Sequence, residues 1–333
     1  MNGKNILFIS KGEHAASTRY RALAYFNALR ASNWRPVHIT ASSNPLSRLK
    51  LLRSASRADV VVILRKTFSL PFFGLLRLCS KYLILDLDDA IFCRSNGKPS
   101  RTRQNRFAYI ARRCQQIWAG NVYLAETARR YNAAVTVVPT SLATGKYAFK
   151  TQKPSDHLDI VWIGSSSTQK YLEAALPFLE RLADGFPHLR LKIVADFDVA
   201  TSQLPTIAIP WSEDTESEAL VSAHIGIAPM PDNPWTRGKC GLKVLQYMAA
   251  GLPVVSSPAG VNGEIVEHGV TGFLAESPEE WQLAMDKLVR DPDLRESMGE
   301  AGRRQVIERY SVDVTYRKMA QALDTLFGSR FSL

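Results

Sequence analysis

Short apolar runs separated by polar, helix-compatible stretches recur along the whole chain. In the first half they fall at Asn5–Ser10, Pro36–Thr40, Val60–Leu64, Tyr82–Leu87, Gln116–Ala119 and Val135–Val138. Runs this short, bounded by turn formers, predict buried strands, and the 3.6-residue periodicity between them predicts helices. Strands buried on both faces and joined by helices imply a parallel sheet covered on each side. The helix after the first run is expected to start near Ser17 as its N-cap, with Leu23, Phe26, Asn27 and Arg30 along one stripe.

After Pro139 the pattern lapses into TSLATGKYAFKTQKPSDH, polar and interrupted by Gly145 and Pro154, which reads as an interdomain linker. The alternation restarts at Asp159–Ile163, Arg190–Ala195, Thr206–Ile209, Ile225–Ala228 and Pro253–Ser256, with helices at Gln169–Phe186, Glu216–Ala223 and Leu242–Ala250. From Glu279 to Phe327 the chain reads as helical, with short helices broken near Asp291–Pro292 and Ser311. A length of 333 residues suits two domains of roughly 150 residues each. The expectation is α/β, with two doubly wound, Rossmann-like parallel-sheet domains over residues 1–150 and 151–333. They are expected to face an interdomain cleft, because ligands of such sheets sit beyond the carboxyl ends of the strands.

The longest apolar stretch, Leu70–Leu78, is interrupted by Pro71, Gly74 and Arg77, and falls short of the roughly 18 residues a spanning helix needs. The opening MNGKNILFIS is too short to be a signal-peptide core, so a cytoplasmic location is expected. The four cysteines, Cys79, Cys93, Cys114 and Cys240, lack metal-ligand spacing and read as reduced thiols.

Charge changes the picture. Residues 1–150 hold 25 Lys and Arg against 6 Asp and Glu, whereas residues 151–333 hold 17 against 25. The halves therefore carry +19 and −8, and the first is expected to meet something anionic: phospholipid, a lipid-linked phosphate or nucleic acid. The stretches Arg48–Arg57 and Arg101–Arg113 set Leu49, Leu51, Leu52, Phe107, Tyr109 and Ile110 among cations, which suits an anionic membrane surface. No recognition motif points to specific nucleic-acid binding.

The segment PWTRGKCGLKVLQYMAAGLPVVSSPAGVNGEIVEHGVTGFLAES, from Pro234 to Ser277, holds the most chemistry. A glycine-rich loop enters a helix near Gly241–Leu242, the helix stops at Gly251, and a buried strand follows. A helix N-terminus offers unpaired amide donors and a positive dipole end, which suits a diphosphate. Arg237, Lys239 and Lys243 crowd that point, and clustered like charge calls for an anion.

With Gly241, Leu242, Leu245, Met248, Ala249, Gly251, Pro253 and Val254, then Gly260, Glu264, Val266, Gly269 and Gly272, this segment resembles the family-4 retaining glycosyltransferases of the GT-B fold. The resemblance implies a nucleoside-diphosphate sugar as co-substrate with no further cofactor and no metal. It also implies transfer to an acceptor hydroxyl with retention of configuration. Gly238 and Gln246 stand where the family carries two glutamates, and an amide at the second can still bond a ribose hydroxyl. The family's arginine turn is replaced by Gly164-Ser165-Ser166-Ser167-Thr168, whose hydroxyls and amides can cradle phosphate. The donor set is then Gly164, Ser165, Ser166, Arg237, Lys239, Gly241, Leu242, Lys243, Gln246 and Glu264, with Lys170 as a helper.

In Leu85-Asp86-Leu87-Asp88-Asp89-Ala90, paired acids at a strand end invite three readings: a metal site, helix caps or partners for nearby arginines, and the place where the resembling family has a histidine–aspartate pair. On the last, Asp88 and Asp89 join Arg237, Lys239 and Lys243 as catalytic groups. Gly12, His14 and Arg19, with Arg21, are the acceptor-side candidates, the acceptor being a lipid-linked or cell-envelope glycan. The alternatives are a catalytically silent binding protein of the same fold, favoured by the missing glutamates, and a sugar-nucleotide epimerase.

Overall fold

The computed structural model describes residues 3–147 and 156–328. Twelve strands are formed there: β1 (Lys4–Ser10), β2 (Trp34–Thr40), β3 (Val60–Leu64), β4 (Tyr82–Leu87), β5 (Gln116–Ala119), β6 (Val135–Val137), β7 (Leu158–Ile163), β8 (Leu189–Ala195), β9 (Thr206–Pro210), β10 (Ile225–Ala228), β11 (Val254–Ser256) and β12 (Gly272–Leu274). They make two parallel six-stranded sheets, ordered β2-β1-β3-β4-β5-β6 and β12-β11-β10-β7-β8-β9. The expected strands are present, and β12 is an addition.

Contacts divide the chain into two units. The first runs through Ser141, then takes Asn233–Cys240 and the chain from Ser311 onward; the second holds Leu142–Asp232 and Gly241–Tyr310. The division between residues 150 and 151 expected from sequence lies outside the described residues. Part of the expected linker is structured: Tyr147 is buried in the second unit, where its hydroxyl donates to Glu216 Oε1 at 2.6 Å.

In the first unit one sheet face packs Leu7, Ile9, Val61, Ile63 and Leu85 against Leu51, Phe73 and Leu76 of helices Pro45–Arg57 and Leu70–Cys79. The opposite face packs Ile6, Phe8, Val62 and Trp118 against Tyr25, Leu29 and the last helix, Val312–Gly328, through Met319 and Leu323. Phe327 extends this contact, its ring 5.1 Å from Tyr82 and 5.9 Å from Trp34. Fully burying side chains of this size contributes about 1.5–3 kcal/mol each, so the last helix is integral to the first unit. The tail differs from expectation in that Pro292–Tyr310 is a single helix of 19 residues.

The helix after β1 also differs. It spans Ala16–Arg21 with Ala15 at its N-cap, then a tight turn leads to Phe26–Ala31. Its buried stripe is Thr18, Arg21, Ala22, Tyr25 and Leu29. The expected stripe, Leu23, Phe26, Asn27 and Arg30, lies on the neighbouring face, and the buried one includes a charged residue, Arg21, only 2% exposed.

In the second unit Trp162, Leu179, Leu191, Ile193, Ile227 and Met285 form the core between sheet and helices. The predicted helix Gln169–Phe186 is split into Gln169–Glu173 and Leu176–Ala183 around Pro177. Proline has no amide hydrogen to donate and clashes with a preceding turn, but is tolerated where a helix begins.

Candidate functional site

In the first unit the carboxyl ends of β3 and β4 carry a layered charge cluster. Its lower layer is Arg21, which donates to both oxygens of Asp86 at 2.6 and 2.7 Å and to the Val138 carbonyl at 2.9 Å. Burial works against the guanidinium charge, but the Asp86 carboxylate overrides it and holds Arg21 protonated. Arg21 is therefore a buried ion-pair partner, and its expected role on the acceptor side is withdrawn.

The upper layer is Asp88 and Asp89 with Arg65 and Lys239. Lys239 Nζ lies 2.8 Å from Asp89 Oδ1, the Arg65 guanidinium pairs with the other Asp89 oxygen, and Arg65 Nε is 3.8 Å from Asp88 Oδ1. Burial, opposed by Arg65 and reinforced by the adjacent Asp89 charge, pushes the Asp88 carboxyl up to about 6. Both acids are paired with basic residues, one of the readings open for them. Arg65 was not singled out from sequence. The register pairing Leu64 with Asp86 sets it beside Asp88, and it sits there at φ 49°, a left-handed conformation that costs a non-glycine residue about 1–2 kcal/mol.

The loop carrying Lys239 is fixed from within the same unit. Asn121, 3% exposed, donates from Nδ2 to the carbonyls of Arg237 at 3.0 Å and Lys239 at 2.9 Å, while its Oδ1 caps helix Val122–Arg129 at Leu124 N. Gly238 is pressed against the residue after the acids: a Cβ there would stand 2.6 Å from Ala90 Cβ and 2.7 Å from Ala90 N. The first family glutamate is thus excluded by packing. Arg237 is exposed. Cys240 is buried, and burial pushes its thiol well above the ordinary range.

The acceptor-side candidates stay on the loop after β1. The Gly12 amide donates to Ser10 Oγ at 3.1 Å, and Ser10 Oγ lies 2.7 Å from both Thr18 Oγ1 and His38 Nε2. His14 is exposed, and the Arg19 guanidinium lies 5.0 Å over the Tyr20 ring.

In the second unit Gly241 adopts φ 68° at the N-cap of helix Leu242–Ala249, and its side-chain-free cap leaves the first amides to other partners. The left-handed backbone favours glycine there, and a Cβ would also require Ile265 Cδ1, 2.3 Å away, to move. Lys243 stands in the first turn with its ammonium 4.1 Å over the Trp162 ring. Gly164 backs onto the same ring, 2.1 Å from where its Cβ would be.

Two donor-side expectations meet a different geometry. Ser166 gives its amide and hydroxyl to Asp196, at 2.8 and 2.6 Å, so its donors face a carboxylate where a phosphate was expected. Gln246 is 3% exposed and donates to the Tyr147 hydroxyl at 3.4 Å, within the Tyr147–Glu216–Trp211 network. Ser165 bonds Ser167 at 2.8 Å, Leu242 opens the helix, and Glu264 is exposed on the short helix Asn262–Ile265.

Residues 215–305, which include the Gly241 cap and helix Leu242–Ala249, match the family model for glycosyl transferases group 1. Human alpha-1,3/1,6-mannosyltransferase ALG2 is 39% identical over 72 residues, 21% of this chain and 17% of that relative, so less than a fifth of the relative's length is matched. The fold likeness is wider. Sucrose-phosphate synthase from Thermosynechococcus elongatus superposes with a TM-score of 0.74 over 98% of this chain and 100% of its own, at 15% identity. HepE from Anabaena, solved in complex with UDP-glucose, gives 0.74 over 96% and 99%, at 14% identity. Residues 215–305 are thus similar to the group 1 glycosyl transferases, and the two parallel six-stranded sheets have the GT-B fold of the structures they superpose on.

Proposed function

We propose that this protein transfers a sugar from a nucleoside-diphosphate donor to a hydroxyl of a glycan or lipid-linked acceptor, with retention of configuration and without a metal. The observation that carries the reading is the left-handed Gly241 cap inside the family-matched segment. It presents the amides of helix Leu242–Ala249, with Lys243 in the first turn, in a geometry suited to a diphosphate. HepE, of the same fold, binds UDP-glucose, which supports a nucleotide-sugar donor here. Retention rests on the family resemblance alone.

As the sugar–phosphate bond breaks, negative charge grows on the departing diphosphate. Amides and cations already in place stabilise it without reorganisation. Lys243 and the helix amides take that role, with Arg237 and Lys239 as the further cations of the same segment. On the acceptor side Asp88, with its carboxyl near pH 6, is ionised at neutral pH yet basic enough to draw the proton from the attacking hydroxyl. Asp89 fixes Lys239 and Arg65 around it.

Isothermal titration with UDP, GDP and ADP on the wild type and on Lys243→Ala tests the donor site. The expected outcome is binding of one diphosphate by the wild type, weakened at least ten-fold in the variant. Equal binding by both removes Lys243 from the site, and no binding by the wild type favours the catalytically silent reading.

A further inference from the structure

Helices Pro45–Arg57 and Leu70–Cys79 of the first unit lie on the same sheet face and pack together, with Arg48 5.0 Å over the Phe72 ring. Their inward residues, Leu51, Ala55, Phe72, Phe73 and Leu76, are core. On the first helix Leu46, Leu49, Lys50, Arg53 and Arg57 follow the helical period along the opposite, exposed side. On the second, Leu75 and Leu78 stand outward, with Leu70 exposed at its start.

These leucines are 41–85% exposed, Leu46 and Leu78 most of all, at 77% and 85%. Among the described residues five of the ten large apolar side chains that stand exposed are on these two helices. Such clustering is not the scatter of single apolar residues a soluble surface tolerates. The charge on the face has one sign: Lys50, Arg53 and Arg57 stand exposed on the first helix, and from residue 41 to residue 81 the chain holds one acid, Asp59. Asp59 is itself paired with Lys81 at 2.9 Å.

We propose that this two-helix face docks the protein on an anionic lipid bilayer, the leucines entering the headgroup boundary and Lys50, Arg53 and Arg57 meeting lipid phosphates. Charge complementarity selects this occupant, because a basic rim around exposed leucines matches an anionic, apolar-cored surface. The inference deepens the lipid-linked acceptor reading by naming the face that meets the membrane. It also narrows the sequence expectation: in the second basic stretch Phe107 and Ile110 are fully buried core residues, so that helix has no such apolar face. No described helix is long and apolar enough to cross a membrane.

Flotation of the full chain with vesicles of phosphatidylcholine alone, and of an equal mixture with phosphatidylglycerol, tests it. The wild type is expected to float with the mixed vesicles and not with the neutral ones. Combined Leu46→Ser, Leu49→Ser, Leu75→Ser and Leu78→Ser is expected to weaken flotation at least ten-fold. Combined Lys50→Glu, Arg53→Glu and Arg57→Glu should do the same, at roughly five-fold per basic residue lost. Nucleotide titration of each variant keeps the two ideas apart: unchanged diphosphate binding with lost flotation supports the docking face alone. Equal flotation with both vesicle types, or variants that float like wild type, overturns the proposal. So does wild-type self-association abolished by the serine variant without vesicle binding, which assigns the face to a second copy. Polynucleotide binding in place of vesicle binding overturns it as well.

Discussion

Replacing Asp88 by Asn is expected to make the protein more stable and less active, by amounts the structure sets. Asp88 rises from an ordinary 3.8 to about 6 in the fold because burial disfavours its charge. A carboxyl whose folded value is raised binds its proton more tightly in the native state than in the unfolded one. The wild type should therefore lose stability as pH climbs from about 4 to about 6 and hold that loss above. At about 1.4 kcal/mol per unit, the shift amounts to about 3 kcal/mol at neutral pH. Asn has the same shape and no charge to bury, so the variant escapes the loss. Urea unfolding of both proteins at several pH values should show the variant about 3 kcal/mol more stable at pH 7.5, with the gap closing towards pH 4. Activity should move the other way. The wild-type rate should fall as pH drops below about 6, where Asp88 takes up its proton, and Asp88→Asn should lose most turnover at every pH. A stability gap that does not change between pH 4 and pH 7.5 would refute the burial argument, and an Asn variant with full turnover would refute the proton-acceptor role.

The loop that carries Lys239 makes two further predictions. Gly238→Ala drives a methyl into the Ala90 backbone, so it should cost about 1–3 kcal/mol in urea unfolding and lower turnover by shifting Lys239 from Asp89, whereas Gly145→Ala, with open space around its Cβ position, should do neither. Asn121→Ala removes a helix cap and two buried hydrogen bonds and should cost about 2–4 kcal/mol; Asn121→Asp keeps the cap but sets a carboxylate against two carbonyls, so it should recover only the cap's share, and full recovery would remove the loop tether.

Strands were legible because each is an apolar run closed by turn residues, and β3, VVVIL, is buried at every position. β12 was not, because Gly272–Leu274 is three residues long and its glycine read as part of a turn. In the sheet that glycine lies against the Val254 carbonyl, 2.1 Å from where a Cβ would stand, so strand packing requires it. Periodicity failed on the first helix for a physical reason as well: the buried stripe contains Arg21, whose charge is tolerated only because Asp86, far along the chain, neutralises it. Local sequence cannot show a partner supplied by another strand.

The same limit governs the segment from Arg237 to Lys243, where three cations in one short stretch read as a single anion trap. The structure divides that stretch at Cys240–Gly241, with Lys239 packed in the first unit and Lys243 in the second. Lys239 lies against Asp89, and Arg65 against both Asp88 and Asp89, so two acids and two bases balance in that cluster. The charges hold one another at fixed places, so on the proposed function a sugar hydroxyl that gives up its proton there would require little reorganisation. Lys243 stands instead in the first turn of a helix whose glycine cap makes no side-chain hydrogen bond to its amides. The reading of that stretch as a single trap lacks the acid partner of Lys239, which only the fold brings to it. Arg65, whose left-handed backbone brings a second base to the same acids, is another partner that local sequence does not mark.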